Sequence, residues 1–85
     1  MRDYSQYMEI YQWMWFVLGL KGKDLMVFCY IYNHTCPTPK EIGEFLGMPP
    51  VKVWESIRFL QAQGFIQEWM DGNLQRFEVS TEALM

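Results

Sequence analysis

Cysteine, proline and glycine are scarce in this chain of 85 residues, which contains two, four and six of them. Two cysteines do not build the disulfide framework of a small secreted protein, and so little glycine and proline excludes a collagen-like or low-complexity chain. The longest apolar runs, residues 13–18 and 25–32, are shorter than the roughly 20 residues that span a membrane. Residues 1–7 carry acid and amide side chains where a signal peptide has an apolar segment. We therefore expect a soluble, cytoplasmic protein with reduced thiols.

Positive charge is also scarce. Seven Lys and Arg stand against ten Asp and Glu, which gives a formal net charge of −3. A domain that binds nucleic acid by itself usually has a basic face. Any contact with DNA therefore depends on a few well-placed cations or on a second copy of the chain.

Hydrophobic residues, by contrast, are abundant, at 51% of the chain with 18% aromatic. This composition excludes a disordered chain and allows a dense core, which a single domain of this length needs. The sequence shows no supported Ser-His-Asp or Cys-His grouping and no Gly-rich phosphate loop. We expect one domain over residues 1–85 that is a binding module rather than an enzyme, with no cofactor and no small-molecule substrate.

Three residues have the chemistry of metal ligands: Cys29, His34 and Cys36. A structural zinc site takes four ligands, and Cys29 falls within an apolar helical segment. We therefore expect no metal site.

The N-terminal segment is unusually aromatic. The spacing of Tyr7, Tyr11, Met14 and Leu18 predicts a helix over residues 4–18. Because a second apolar stripe overlaps the first, residues 1–20 are more apolar than one small core requires, and a surplus of aromatic residues is typical of protein interfaces. We expect this segment to be a dimerisation element, and the candidate interface residues are Tyr7, Tyr11, Trp13, Trp15 and Phe59.

Helix signals continue along the chain. Residues 24–33 are apolar on all sides, which predicts a buried helix. Thr38 and Glu41 have the spacing of a capping box around a proline, and Gly47 is a typical helix stop. A longer helix is predicted over residues 50–63, with Val53, Ile57 and Leu60 facing inward.

The last segments predict a β-hairpin. Residues 65–70 and 74–79 are β-prone and flank Asp71-Gly72-Asn73, and an Asp-Gly pair between such runs is a hairpin signal.

Three features follow one another in the chain: the run from Thr38 to Met48, the inward positions of the following helix, and Gly64-Phe65-Ile66. Together they resemble the winged helix-turn-helix family. The resemblance implies a mainly helical domain over residues 21–79, with a three-helix core and a two-stranded wing, behind the extra N-terminal aromatic helix. A second set of features comprises residues 11–14, residues 18–22 and the helix ending in Ile31-Tyr32. These resemble the N-terminal part of phage and plasmid replication initiators or replisome organisers.

The resemblance further implies that residues 50–63 enter the major groove of double-stranded DNA and that the wing touches its backbone. The outward arc of that helix is expected to comprise Val51, Lys52, Glu55, Arg58, Phe59, Ala62 and Gln63. The candidate DNA-binding residues are Lys40, Lys52, Glu55, Arg58 and Arg76.

Two functions remain open at this point. The first is a DNA-binding regulator of transcription or replication that works as a homodimer. The second is a winged helix that binds proteins and has little affinity for DNA.

Overall fold

A computed structural model describes residues 11–80, except for the side chains of Gln12 and Trp15. Four helices precede two strands: α1 (Gln12–Phe16), α2 (Gly22–Asn33), α3 (Pro39–Leu46), α4 (Pro50–Ala62), β1 (Ile66–Asp71) and β2 (Leu74–Val79). The expected mainly helical fold, a three-helix core with a two-stranded wing, is confirmed.

The N-terminal helix is shorter than the predicted 4–18. It begins at Gln12, and Tyr11 before it is extended, with φ −93° and ψ 144°. Tyr11 and Trp13 both place their rings against Tyr32, with centroids 5.6 and 5.5 Å away. Residues two apart point away from each other on a helix, so this shared contact requires extended backbone at Tyr11. The prediction of one helical stripe through Tyr11 is wrong, and residues 4–10, with Tyr7, lie outside the described residues.

The second helix is the buried centre of the domain. Its side chains Val27, Phe28 and Cys29 are fully buried, as expected for a helix that is apolar on all sides. The Cys29 thiol donates to the sulfur of Met14 at 3.3 Å, and burial raises the pKa of this thiol to about 11. Cys29 is therefore a neutral packing residue, and within residues 11–80 no cluster of His, Cys, Asp and Glu is arranged to hold a metal ion.

The helix–turn–helix follows from local signals. The Thr38 hydroxyl accepts from the Glu41 amide at 3.2 Å, and the Glu41 carboxylate accepts from the Thr38 amide at 3.1 Å. Gly47 ends α3 with a left-handed φ of 69°. Gly43 lets the turn approach closely, because a Cβ there would lie 3.0 Å from the Met48 carbonyl oxygen.

The wing is an antiparallel hairpin in which Ile66 pairs with Val79 and Asp71 with Leu74. Asp71 therefore belongs to β1, and the turn consists of Gly72 and Asn73 rather than the predicted Asp71–Asn73. A two-residue turn matches the right-handed twist of the flanking strands, and Gly72 supplies a positive φ of 62°.

The core lies between the three long helices and one face of the wing. Every described element contributes to it, and the buried hydrophobic residues are Met14, Leu20, Val27, Phe28, Cys29, Tyr30, Ile31, Ile42, Val53, Ile57, Leu60, Ile66 and Phe77. Phe77 ties the wing to the helices through its buried ring and through a hydrogen bond from its amide to the Pro37 carbonyl at 3.1 Å. Among the described helices, none is long and apolar enough to cross a membrane.

Candidate nucleic-acid interface

The outward side of α4 is the surface on which a winged helix contacts DNA. The inward positions Val53, Ile57 and Leu60 are fully buried. All seven positions of the expected outward arc are exposed: Val51, Lys52, Glu55, Arg58, Phe59, Ala62 and Gln63. Burial of one stripe therefore fixes which side chains α4 presents to solvent.

A cluster of four charged side chains lies beside the first turns of α4. Lys52 Nζ is 3.6 Å from Glu55 Oε1, and Lys23 Nζ, which comes from α2, is 3.8 Å from the same oxygen. Sequence reasoning missed Lys23, because no local pattern places the start of α2 beside α4. Lys23 Nζ also lies 3.5 Å from Asp24 Oδ1, so the cluster of Lys23, Asp24, Lys52 and Glu55 carries two positive and two negative charges.

Arg58 lies one turn beyond this cluster. It is exposed and has no carboxylate partner among residues 11–80. It borders a cleft of about 580 Å³ between α4 and the wing, which Val51, Trp54 and Gln75 also line. A guanidinium in this position is available to a phosphate or to a base edge.

Lys40 stands at the start of α3, with 87% of its side chain exposed. Its Nζ is 4.0 Å from Glu44, one helical turn further along α3. An exposed pair of this kind contributes little stability, so Lys40 can exchange Glu44 for another anion at small cost.

Arg76 is held more tightly than the other candidate cations. Only 24% of its side chain is exposed, and its Nε donates to Asp71 at 3.0 Å. Its Nη1 donates to the Cys36 carbonyl at 3.0 Å and lies 3.7 Å from Glu41. Because these partners belong to the wing, to the segment before α3 and to α3 itself, Arg76 fixes the wing against the helix–turn–helix.

A trough lies between α3, the start of α4 and the tip of the wing, with a volume of about 540 Å³. We call it the Trp54 trough, and its lining includes Pro39, Met48, Pro50, Trp54 and Leu74. The Trp54 ring packs edge-on against Phe77, with centroids 6.0 Å apart. The part of the trough beside α4 is therefore mainly apolar, although Lys40, Glu44 and Gln75 also line the trough.

The residues predicted to form a protein interface differ from one another in how far they are exposed. The rings of Tyr11 and Trp13 are partly buried in an aromatic cluster with Tyr32, and Trp13 also packs edge-on against Phe28 at 6.0 Å. Phe59 is 43% exposed. Tyr7 and the Trp15 side chain lie outside the described part of the chain.

The most exposed large hydrophobic residues described are at the end of α1. Phe16 is 72% exposed, and Val17, which follows the helix, is 73% exposed. Neither was among the candidate interface residues, because the predicted long helix gave no reason to separate them from the aromatic residues that pack inward.

Comparison with known proteins agrees with this geometry at the level of the fold. The chain is similar to a crystal structure of a MarR-like transcriptional regulator from Thermotoga maritima, with a TM-score of 0.72 and 21% sequence identity. The match covers 95% of this chain and 57% of the regulator, so the chain spans a little over half of the length of that protein. No protein-family model and no curated protein sequence matches the chain. The fold is a winged helix.

Proposed function

We propose that the protein is a DNA-binding regulator that contacts double-stranded DNA through α4 and the wing. The observation that carries the proposal is the exposed arc of α4, which presents Lys52 and Arg58 to solvent, with Arg58 at the cleft between α4 and the wing. A winged helix places this arc in the major groove. The solved structure that this chain resembles is described as a transcriptional regulator, which agrees with this use of the fold.

The charge of the surface bears on how the protein binds. Lys40 and Lys52 are each within 4.0 Å of a glutamate, and Arg76 is bound to Asp71. One copy therefore offers few unneutralised cations, and each phosphate contact contributes affinity by releasing a counterion. We infer that the protein acts as a homodimer, because two copies double the number of phosphate contacts.

We also propose that the protein regulates either transcription or replication in the cell. Regulation of transcription agrees with the structural likeness, and control of replication agrees with the resemblance of residues 11–32 to the front of replication initiators. Either role requires access to DNA, and we propose that the protein works in the cytoplasm.

The proposal is tested by fluorescence anisotropy with a labelled random duplex of about 30 base pairs. We expect binding at about 50 mM salt that weakens on the order of 10³-fold by about 200 mM, as expected for about six phosphate contacts in a dimer. Absence of binding at the lower salt concentration, or binding that salt leaves unchanged, would contradict the proposal.

A second candidate function is a protein-binding winged helix with little affinity for DNA. It is favoured by the apolar Trp54 trough and by exposed apolar residues on the same face, such as Val51 at 62% and Leu74 at 51%. Exposed apolar patches typically mark protein contacts. The anisotropy experiment separates the two functions, because only the first predicts salt-sensitive binding to a random duplex.

We further propose that the end of α1 takes part in dimerisation. Replacing Phe16 and Val17 with serine is expected to reduce the molar mass from that of a dimer to that of a monomer, because an interface loses its apolar contacts. Size-exclusion chromatography with light scattering measures this change. The matched control is Val51→Ser, which removes a similarly exposed apolar side chain from α4. A dimer mass that survives the double substitution would place the interface elsewhere.

A further inference from the structure

The first turns of α4 carry little hydrogen-bonding capacity on their outward arc. Pro50 and Val51 have no polar side-chain atom, so hydrogen bonding there falls to Lys52 and Glu55. Readers of the major groove usually use arginine, asparagine or glutamine at such positions. The glutamate is therefore the unusual feature of this surface.

Both lysines of the cluster approach the same oxygen of Glu55. Lys52 and Lys23 lie 3.6 and 3.8 Å from Oε1. Oε2 has no hydrogen-bond partner among the described residues. Oε2 is therefore left as an acceptor for a further donor.

The lysines also change the electrostatics of an acid close to DNA. An isolated carboxylate is repelled by phosphates, whereas Glu55 together with Lys52, Lys23 and the Asp24 carboxylate beside Lys23 sums to no net charge. At separations of about 4 Å such charges attract each other, and more strongly near a protein surface than in bulk water. The cluster can therefore enter a groove that would exclude the glutamate alone.

We propose that Glu55 is a specificity-determining residue whose Oε2 accepts a hydrogen bond from the exocyclic amino group of a cytosine in the major groove. The inference rests on the proposed function. Cytosine presents its N4 amino group as a donor, whereas adenine places the N7 acceptor beside its amino group. An ionised carboxylate only accepts hydrogen bonds, so the lone pairs of adenine N7 disfavour it and cytosine is preferred. Lys23 and Lys52 act as positioning residues that hold Oε1 and neutralise the acid.

The test is a selection of binding sites from a random duplex library, carried out in parallel with the full chain and with Glu55→Gln. We expect the wild-type protein to enrich sites with one strongly preferred C·G pair. Glu55→Gln should relax that position or change it to A·T, because a glutamine side chain pairs with adenine. Affinity of the variant for the wild-type site should fall about 5- to 150-fold, the range of a single base contact, while binding to random duplex is retained.

Glu44→Gln is the matched control, because Glu44 is also an exposed glutamate paired with a lysine, but on α3. It should select the same sites as the wild-type protein. Identical selected sites and affinities for Glu55→Gln would overturn the inference and leave DNA binding intact. Failure of the wild-type protein to bind any duplex at low salt would instead refute the proposed function, and the inference with it.

Discussion

Replacing Lys52 and Arg58 together with glutamate is expected to abolish binding to double-stranded DNA. The two cations stand on the outward arc of α4, and each reversal replaces an attraction to phosphate with a repulsion. A dimer would lose four cations, which should make the negative slope of log K against log salt shallower by about 3 to 4. The affinity for random duplex should fall at least on the order of 10²-fold at about 50 mM salt. Fluorescence anisotropy over a series of salt concentrations measures both quantities.

The control protein carries Lys52→Arg and Arg58→Lys, which keep both positive charges but change the side chains that bear them. It should retain the salt slope of the wild-type protein, since that slope depends on charge. Both sites are exposed, so the free energy of unfolding should change little in either protein. A charge-reversed protein that binds duplex as tightly as the wild type would show that α4 does not contact the phosphates.

Replacing Phe77 with alanine is expected to lower the free energy of unfolding by about 3–5 kcal/mol. Phe77 is fully buried, and its ring meets Trp54 edge-on at 6.0 Å. The change removes the apolar ring and leaves a cavity where the wing meets α4. Domains of this size are stable by about 4–13 kcal/mol, so the change should remove a large share of the stability of the domain. Urea denaturation followed by circular dichroism measures the change.

Phe59→Ala is the matched control for Phe77→Ala, because it deletes the same side chain from the exposed side of α4, where Phe59 keeps 43% of its surface in solvent. Its effect should be less than about half as large, since little apolar surface is lost from the core. Equal destabilisation by the two substitutions would mean that the wing is not anchored through Phe77.

Local signals in the sequence predict the helix–turn–helix and most of the wing. The capping box joins Thr38 to Glu41, three residues apart, and Gly47 stops α3 through its own backbone conformation. Such features depend on a few neighbouring residues and survive in almost any tertiary context. The inward stripe of α4 is similarly set by its helical period.

The parts that the sequence did not predict depend on distant contacts. The extended backbone at Tyr11 follows from the Tyr32 ring on α2, and tertiary packing of this kind overrides a helical pattern. At the candidate site, Lys23 approaches Glu55 from α2. Arg76 donates a hydrogen bond to the Cys36 carbonyl before α3 and forms an ion pair with Glu41 in α3. Periodicity identifies which residues are exposed, but the partner of an exposed charge is set by the way in which the elements pack.

The central claim is that α4 and the tip of the wing form the surface that contacts DNA. The most direct measurement is a titration of the ¹⁵N-labelled full chain with a short duplex at low salt, followed by amide chemical shifts. The account predicts that the largest changes fall within residues 50–58 and 71–76. Largest changes at the end of α1, around Phe16 and Val17, or no changes at any duplex concentration, would contradict it.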